Sequence, residues 1–278
     1  YYFSDQSVSF PRLMVNLING GKHANWNFDF QEYILTPKDK TPSASVRMAS
    51  SVFHSMQKLL KSRNLSPLVG DEGGFSPELE SNMAAFDLII SAASELEYKN
   101  SIDFDLGMDV AASEFYNDGI YELKKDNLTL DASQQMEYYS NLRAKYSVYS
   151  IEDPFEQDEW ESFSLLNKSS EGNFLVVGDD LTVTNTDRIR QGIEHKSANA
   201  IIIKVNQIGS LIETVEAIKL ARSAGWKIII SHRSGETEDS FIADLAYGSG
   251  ADFIKTGSMS RSDRICKYNR LLEIEHNI

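Results

Sequence analysis

The most constraining feature of this sequence is an alternation that runs from about residue 104 to the end of the chain. Short apolar runs are each followed by a longer amphipathic stretch, and the runs are FDLGMD, VYSIE, FLVVG, AIIIKV, KIIIS and FIKT. Strands that alternate with helices are typical of βα units joined in one parallel sheet. Several residues at the expected helix starts are good N-caps, and these starts lie near Asp131, Asp158, Asn185, Ser210, Glu238 and Ser260.

The first hundred residues depart from this alternation. Two strand-like runs, RLMVNLI and FQEYILT, are separated by a Gly/Asn-rich stretch that is too short for a crossover helix, so they must be antiparallel neighbours. Two helices are predicted next, at about residues 43–63 and 79–96, joined by the loop LVGDEGGFSP. The order ββαα(βα)6 supplies enough strands to close a barrel. The sequence therefore predicts an α/β fold, a TIM-like barrel whose second strand is antiparallel, in one domain over residues 1–278.

Composition restricts the possible partners. The 278 residues carry a formal net charge of -14, which argues against a nucleic-acid or anionic-membrane surface because such partners attract basic patches. No apolar run reaches the roughly 18 residues that span a bilayer. The single cysteine, Cys266, cannot form an intramolecular disulfide, and the sequence has no Cys/His zinc cluster. We expect a cytoplasmic protein whose partners are small molecules and cations.

Chain direction brings the polar residues to one rim of the predicted barrel. If the first strand runs upward, the second runs down, the loop GDEGG returns to the upper rim, and all six later strands climb to it. Barrel enzymes place their catalytic residues at the rim formed by the carboxyl ends of the parallel strands. We therefore expect a common site formed by His23, Glu32, Glu72, Asp109, Glu152, Asp179, Lys204, His232 and Lys255.

Three acidic residues end consecutive climbing strands, namely Asp109, Glu152 and Asp179. Their carboxylates would lie side by side, and hard oxygen ligands without Cys or a His pair suit Mg²⁺ better than zinc or copper. The alternative is that each acid caps a helix or faces solvent. We favour a metal site, because that alternative would have to hold at three successive strands.

A lysine and a glutamate indicate acid–base chemistry. Lys204 ends an otherwise apolar strand, and burial with cationic neighbours lowers the pKa of a lysine towards that of a general base. Lys255 has the same placement, and either lysine could instead only neutralise carboxylates. Glu72, flanked by glycines in GDEGG, would face the lysines as an acid, although Asp/Gly clusters are more often ordinary turns.

The segment SHRSGE could bind phosphate. It supplies Arg233 and Ser234 beside His232 at the end of a predicted strand. An arginine with a hydroxyl and nearby backbone N–H groups is a natural phosphate clamp. A single Arg/Ser pair on a loop is usually only structural, so these residues alone leave both interpretations open.

Nine ordered motifs resemble those of the enolase family and cover the chain from about Phe10 to Glu275. They are NGGKHA, FQEYI, VGDEGG, GMDVAASEF, SIEDPFEQDEW, GDDLTVTN, IIKVNQIGSL, SHRSGETED and IKTGSMSRSDR. Chance agreement of nine motifs in order is negligible. The resemblance implies the enolase type of TIM-like barrel and a hydro-lyase of glycolysis that interconverts 2-phosphoglycerate and phosphoenolpyruvate with Mg²⁺.

The resemblance also implies a role for each matched residue. Lys204 of KVNQ would remove the C2 proton, Glu72 of GDEGG would protonate the departing C3 hydroxyl, and Lys255 would hold the substrate carboxylate. The implied ligands of the conformational Mg²⁺, one of two such ions in the complete enzyme, are Asp109, Glu152 and Asp179. The implied substrate-binding residues are Arg233 and Ser234 for the phosphate, with His23, Glu32 and His232 on the leaving-group side.

Members of the family carry an N-terminal domain before this barrel, and a serine on its mobile loop helps bind the second Mg²⁺. We therefore expect these 278 residues alone to be weakly active or inactive. Two other interpretations stay open, a related enzyme that acts on a non-phosphorylated acid and a barrel with a non-catalytic protein-binding role. SHRSGE favours a phosphorylated substrate, and the intact set of acid, base and ligands argues against a scaffold. The resemblance further implies a homodimer for the full-length protein.

Overall fold

Strands closed into a ring form the centre of this fold. The computed structural model describes residues 9–24 and 26–277, so residues 1–8, 25 and 278 of the predicted single domain lie outside the described residues. The strands are β1 (Arg12–Asn19), β2 (Glu32–Pro37), β3 (Phe104–Asp109), β4 (Tyr116–Asn117), β5 (Ile120–Leu123), β6 (Leu128–Leu130), β7 (Val148–Glu152), β8 (Leu175–Gly178), β9 (Ala200–Ile203), β10 (Lys227–Ser231) and β11 (Phe253–Lys255).

Helices alternate with the later strands and surround the barrel. They are α1 (Pro42–Ser62), α2 (Ala84–Ser94), α3 (Ala132–Tyr146), α4 (Trp160–Ser170), α5 (Thr186–His195), α6 (Val205–Ile208), α7 (Leu211–Ser223), α8 (Phe241–Gly248) and α9 (Ser262–His276). Short 3-10 helices span Gly21–Ala24 and Ala112–Phe115. In the part of the chain that is described, none of the helices combines the length and the apolar composition needed to cross a bilayer.

Strand pairing confirms the predicted topology. Within the described residues, eight strands form a closed barrel in the order β1-β11-β10-β9-β8-β7-β3-β2. β2 pairs antiparallel with both β1 and β3, whereas the other neighbouring strands are parallel. The register places these strand termini at the same height on the barrel, since Glu32 pairs with Asp109 and Asp109 pairs with Glu152. The three strands predicted to end in acidic residues, β3, β7 and β8, are therefore neighbours.

The barrel strands are apolar on both faces, because one face fills the barrel and the other packs under the helices. On β9, Ile202 packs inside the barrel with residues such as Met14 and Phe253. Ile201 and Ile203 of the same strand belong to the layer between the barrel and the helices. This two-sided burial explains the continuous apolar runs in the sequence, and it fixes the strands whose ends carry the polar residues of the rim.

Side-chain caps set the starts of several helices where the sequence predicts them. The Asp131 carboxylate accepts from the Gln134 N–H, and the Gln134 side chain accepts from the Asp131 N–H, which forms a capping box at α3. Asn185 caps α5 and Ser210 caps α7 through their side-chain oxygens. These caps satisfy helix N–H groups that would otherwise lack partners.

Helix α2 is shorter than predicted, because it begins at Ala84 rather than near residue 79. The Asn82 amide donates to the carboxylates of Asp29 and Asp126 at 2.7 and 3.0 Å. Asn82 is fully buried, so these bonds hold the residues before the helix in a loop. A tertiary contact of this kind leaves no periodic signal in the sequence.

A small sheet that the sequence pattern does not predict lies between β3 and α3. Its strands pair antiparallel in the order β4-β5-β6. The turn between β4 and β5 contains Asp118 and Gly119, whose φ angles are 46° and 89°, the left-handed conformation of a tight hairpin turn. The Asp-Gly pair is the signal that could have identified this hairpin. Strands of two to four residues are too short to show alternation.

Replacing Ile202 by alanine tests the packing of the barrel interior. Ile202 is fully buried, so Ile202→Ala is expected to lower the free energy of unfolding by roughly 2–5 kcal/mol, because a cavity is left between strands. Ile212→Ala is the matched control, since Ile212 on α7 is 57 % exposed and its loss should change stability by no more than about 0.5 kcal/mol. Urea denaturation followed by circular dichroism measures both values. Equal losses in the two variants would contradict this description of the core.

Candidate active site

One cavity at the carboxyl ends of the barrel strands gathers almost all of the predicted site residues. Its volume is about 440 Å³. The predicted residues that line it are His23, Glu32, Glu72, Asp109, Asp179, Lys204, His232, Arg233, Ser234 and Lys255. The structure thus brings these ten residues to one cavity, while the chemical role of each stays a prediction.

A second cavity, of about 530 Å³, is larger and lies beside the small sheet β4–β6. Three aromatic side chains line it together with acids and lysines, namely Trp26, Phe115 and Tyr116. Size alone does not identify an active site. We place the candidate active site in the smaller cavity, because buried groups with shifted pKa values converge there.

Lys255 crosses the mouth of the barrel from the end of β11. Its ammonium lies 2.8 Å from both carboxylate oxygens of Glu152, 3.1 Å from Asp109 and 3.3 Å from Glu32. Glu152 is buried and, unlike the other predicted residues, does not line the cavity. Burial would lower the pKa of Lys255, but the Asp109 and Glu152 carboxylates raise it well above its ordinary value. Lys255 is therefore a fixed positive charge.

Lys204 directly follows β9, and its ammonium forms a hydrogen-bonded ion pair with the Asp179 carboxylate. The expectation that burial lowers the pKa of Lys204 is wrong for this arrangement. Burial acts in that direction, but Asp179 outweighs it, and the pKa of Lys204 is raised above its ordinary value. While this ion pair persists, Lys204 is a charged hydrogen-bond donor rather than a base.

Three carboxyl groups of the rim lie close together, because the oxygens of Asp153, Asp179 and Asp180 are within 4.8 Å of one another. Asp153 was not predicted as a site residue. It accepts from the N–H groups of Asp179 and Asp180 at 3.0 and 2.8 Å, and burial followed by the charge of Asp180 raises its pKa well above the ordinary value. Burial and then the charge of Asp179 raise the pKa of Asp180 to about 6. The raised pKa values mean that Asp153 and Asp180 hold protons more readily than ordinary carboxyl groups, because they crowd together with Asp179.

The oxygen donors of the rim fit a hard divalent cation. Asp109 and Glu152 end β3 and β7, and Asp179 directly follows the neighbouring β8. Burial and the charge of Asp109 raise the pKa of Glu152 well above its ordinary value, and Oδ1 of Asp179 has no hydrogen-bond partner among the described residues. A cation bound here would relieve both conditions. These donors are of the kind that Mg²⁺ prefers, although Lys255 and Lys204 now neutralise them. Of the predicted ligands, only Asp179 belongs to the acidic group of described residues whose oxygens lie within 4.8 Å of one another, and its partners there are Asp153 and Asp180.

Glu72 and Glu32 form a buried carboxyl pair beside His23, and ligand atoms of the three lie within 4.8 Å of one another. Oε2 of Glu72 accepts from the Asn16 amide at 2.9 Å and lies 3.5 Å from Nε2 of His232. Oε1 of Glu72 lies 3.4 Å from Nδ1 of His23. Asn16 was not predicted, since an asparagine inside an apolar strand has no sequence signature of its own.

The two carboxyl groups differ in their proton affinity. Burial alone would raise the pKa of Glu72, but His232 and His23 lower it well below its ordinary value. Burial, followed by the charge of Glu72, raises the pKa of Glu32 well above its ordinary value. The proton of the pair therefore lies on Glu32, whereas the sequence argument allowed a protonated Glu72.

The loop after β10 carries the candidate phosphate clamp. The Arg233 guanidinium donates to the Asn206 side chain at 3.0 Å, and Ser234 is exposed. Two fully buried cations of α9, Arg264 and Lys267, hold this loop from behind. Sequence reasoning missed both of them, because a charged residue in a helix is normally exposed.

Residues 7–278 match the protein family described as Enolase, C-terminal TIM barrel domain. The match covers nearly the whole chain, and the closed barrel with its antiparallel β2 agrees with it. It supports a lyase of the enolase superfamily without naming a substrate. The geometry of the rim and this match lead to one conclusion: the chain belongs to the enolase C-terminal TIM barrel domain family.

Proposed function

We propose that this chain supplies the acid, the base and the metal and substrate ligands for the Mg²⁺-dependent interconversion of 2-phosphoglycerate and phosphoenolpyruvate. The observation that carries this proposal is the convergence of Lys204, Glu72 and Lys255 on one cavity of about 440 Å³ among carboxylates. Elimination of water requires a base for the C2 proton, an acid for the C3 hydroxyl, and cations for the charge that develops on the substrate carboxylate. This cavity holds all three kinds of group.

Lys204 is the proposed base. Its ammonium pairs with Asp179, so it stays protonated while that ion pair persists. When Asp179 holds a metal ion instead, Lys204 loses the partner that raises its pKa, and burial then favours the neutral amine. A cation held by Asp179 would thus leave Lys204 Nζ free to accept the C2 proton.

Lys255 is the proposed partner of the substrate carboxylate. Removal of the C2 proton places a second negative charge on that carboxylate, and a permanent cation beside it lowers the barrier. Lys255 meets this requirement because Asp109 and Glu152 keep it charged and in place. Mg²⁺ bound by Asp109, Glu152 and Asp179 would stabilise the same charge as a Lewis acid.

Glu72 is the proposed acid for the C3 hydroxyl, and Glu32 is the source of its proton. The raised pKa of Glu32 and the lowered pKa of Glu72 place the shared proton on Glu32 before reaction. Ligand atoms of the two groups lie within 4.8 Å, a separation that one bridging water can span for proton transfer. Glu32 passes its proton to Glu72, which delivers it to the C3 oxygen so that water leaves.

Arg233 and Ser234 are the proposed phosphate ligands. Both line the cavity, and the contact of Arg233 with Asn206 holds its guanidinium at the rim. A planar guanidinium with a neighbouring hydroxyl suits the oxygens of a phosphate group. These residues favour a phosphorylated substrate over the non-phosphorylated acids of related enzymes. The homodimer, the cytoplasmic location and the low activity of these 278 residues alone stay predictions.

Separate variants of the base and the acid should distinguish removal of the C2 proton from loss of the C3 hydroxyl. Lys204→Met is expected to abolish exchange of the C2 hydrogen of 2-phosphoglycerate with solvent deuterium, because the proposed base is removed. Glu72→Gln should retain this exchange and lose dehydration by at least about 100-fold, since only the leaving group lacks its acid. Proton NMR in D₂O measures exchange, and ultraviolet absorbance of phosphoenolpyruvate measures dehydration.

The matched control for the base is Lys219→Met, because Lys219 is exposed on α7. It should leave both rates unchanged. Exchange that persists in Lys204→Met would refute the assignment of the base, and exchange lost in Glu72→Gln would refute the separate role of the acid.

Removing one carboxylate should weaken Mg²⁺ binding. Asp179→Asn is expected to reduce the Mg²⁺ affinity at least about tenfold, a loss of about 1.4 kcal/mol, because an amide is a weaker ligand for a hard cation. Asp187→Asn is the control, since the Asp187 side chain is 87 % exposed on α5 and lies outside the cavity lining. Isothermal titration calorimetry measures both affinities without any substrate. Equal affinities would place the metal elsewhere.

A further inference from the structure

Arg264 lies fully buried behind the candidate active site. Its Nη1 is 2.6 Å from Nδ1 of His232 and donates to the carbonyl of Arg233 at 2.7 Å. Its Nη2 donates to the carbonyls of Ser234 at 2.7 Å and Asp71 at 3.1 Å. One guanidinium therefore joins the GDEGG loop to the SHRS loop.

The contact with Arg264 determines which nitrogen of His232 carries a proton. A guanidinium has only N–H donors and remains charged in proteins. Nδ1 of His232 must therefore be the acceptor, and in a neutral imidazole the remaining proton is on Nε2. A proton on Nδ1 would set two N–H groups against each other across 2.6 Å. His232 is thus neutral while this contact persists.

Nε2 of His232 faces the Glu72 side of the cavity. It lies 3.5 Å from Oε2 of Glu72 and has no hydrogen-bond partner among the described residues. The charged groups that act on His232 are Glu72, which favours its protonation, and Arg264 and Lys255, which oppose it. Burial, the largest influence, lowers the pKa of His232, in agreement with a neutral ring.

The neutral ring also bears on Glu72. If His232 were charged, it would be the strongest of the influences that lower the pKa of Glu72. The lowered pKa of His232 itself, however, favours the neutral ring. The 2.6 Å contact with Arg264 decides in favour of the neutral form. A neutral His232 lowers the pKa of Glu72 as an N–H donor rather than as a positive charge, and the Asn16 amide is a second donor to the same carboxylate.

The Arg264 side chain has little freedom to leave this position. A Cβ on Gly257 would lie 2.7 Å from Cδ of Arg264 and 2.8 Å from the Glu72 carbonyl oxygen, so the backbone of Gly257 packs directly on the arginine stem. The φ angle of Gly257 is also positive, at 81°, which favours glycine. The guanidinium of Arg264, with its N–H donors, is therefore held in one orientation.

We propose that Arg264 is a positioning residue that holds His232 as the neutral Nε2–H tautomer and so directs an N–H donor at Glu72. Arg264 does not line the cavity, so it acts through His232 and the two loops. The catalytic consequence rests on the proposed function, because that function makes Glu72 the acid. The assignment of the tautomer does not depend on the proposed function, because it follows from the contact between Arg264 and His232.

The tautomer is tested directly in the chain labelled with ¹⁵N-histidine. Nδ1 of His232 is expected to give the signal of an unprotonated nitrogen and Nε2 that of a protonated one, and this pattern should persist down to about pH 5, where an ordinary histidine is charged. The His232→Gln variant assigns the signals among the five histidines. A proton on Nδ1 near pH 7 would overturn the proposal. Because no substrate is used, failure here is distinguishable from failure of the proposed reaction.

The positioning role is tested by Arg264→Gln, with Arg270→Gln as the matched control on the same helix. Arg270 pairs with Asp244 at the surface, so its variant should change nothing at the site. In Arg264→Gln, His232 should titrate at a higher pH than in the unsubstituted chain, although its burial persists. Dehydration should fall at least about tenfold, and C2 hydrogen exchange should stay within about twofold.

Two outcomes would overturn the positioning role. Equal losses of exchange and dehydration in Arg264→Gln would make Arg264 a structural residue, and an unchanged His232 titration would show that it does not set the tautomer. If Arg264→Gln does not fold, the NMR signals of the unsubstituted chain still decide whether His232 is the neutral tautomer with its proton on Nε2.

Discussion

A single buried ammonium group balances the centre of this barrel. Lys255 reaches from β11 to carboxylates at the ends of three other strands, Glu32 of β2, Asp109 of β3 and Glu152 of β7. Breaking a buried ion pair by removing one partner costs roughly 3–5 kcal/mol, because the remaining charge is left without compensation. The strand register places these three acids side by side, and the ammonium of Lys255 offsets the repulsion between them. Stability and site electrostatics therefore depend on the same four groups.

Lys255 does not neutralise the whole rim, and the remaining negative charge shapes the rest of the site. Asp179 is paired with Lys204, while Asp153 and Asp180 have raised pKa values because they are buried near each other and near Asp179. Cations compete for these oxygens, whether they are side chains or ions. Lys204 pairs with Asp179 here, and the function we propose would have a metal ion take its place and leave Lys204 free to act as the base.

How much the sequence could reveal depends on whether a property is local or tertiary. The topology could be predicted because the stretch before β2 is too short for a helix, and the strand-end positions of Asp109 and Lys255 followed from it. The pKa shift of Lys204 was predicted with the wrong sign, because it depends on the position of Asp179 rather than on burial alone. Arg264 was missed, since SDRICKYNR resembles an exposed helix surface and its burial arises where α9 meets two loops.

The asymmetry between Glu32 and Glu72 must come from their surroundings, because the two side chains are chemically the same. Glu72 receives the Asn16 amide and faces an imidazole N–H, whereas Glu32 has burial and a nearby negative charge. An imidazolium at His232 would bind Glu72 as an ion pair and oppose its protonation. A neutral imidazole leaves Glu72 able to take a proton from Glu32 and pass it on. The guanidinium behind His232 therefore gives direction to proton transfer in a cavity that it does not line.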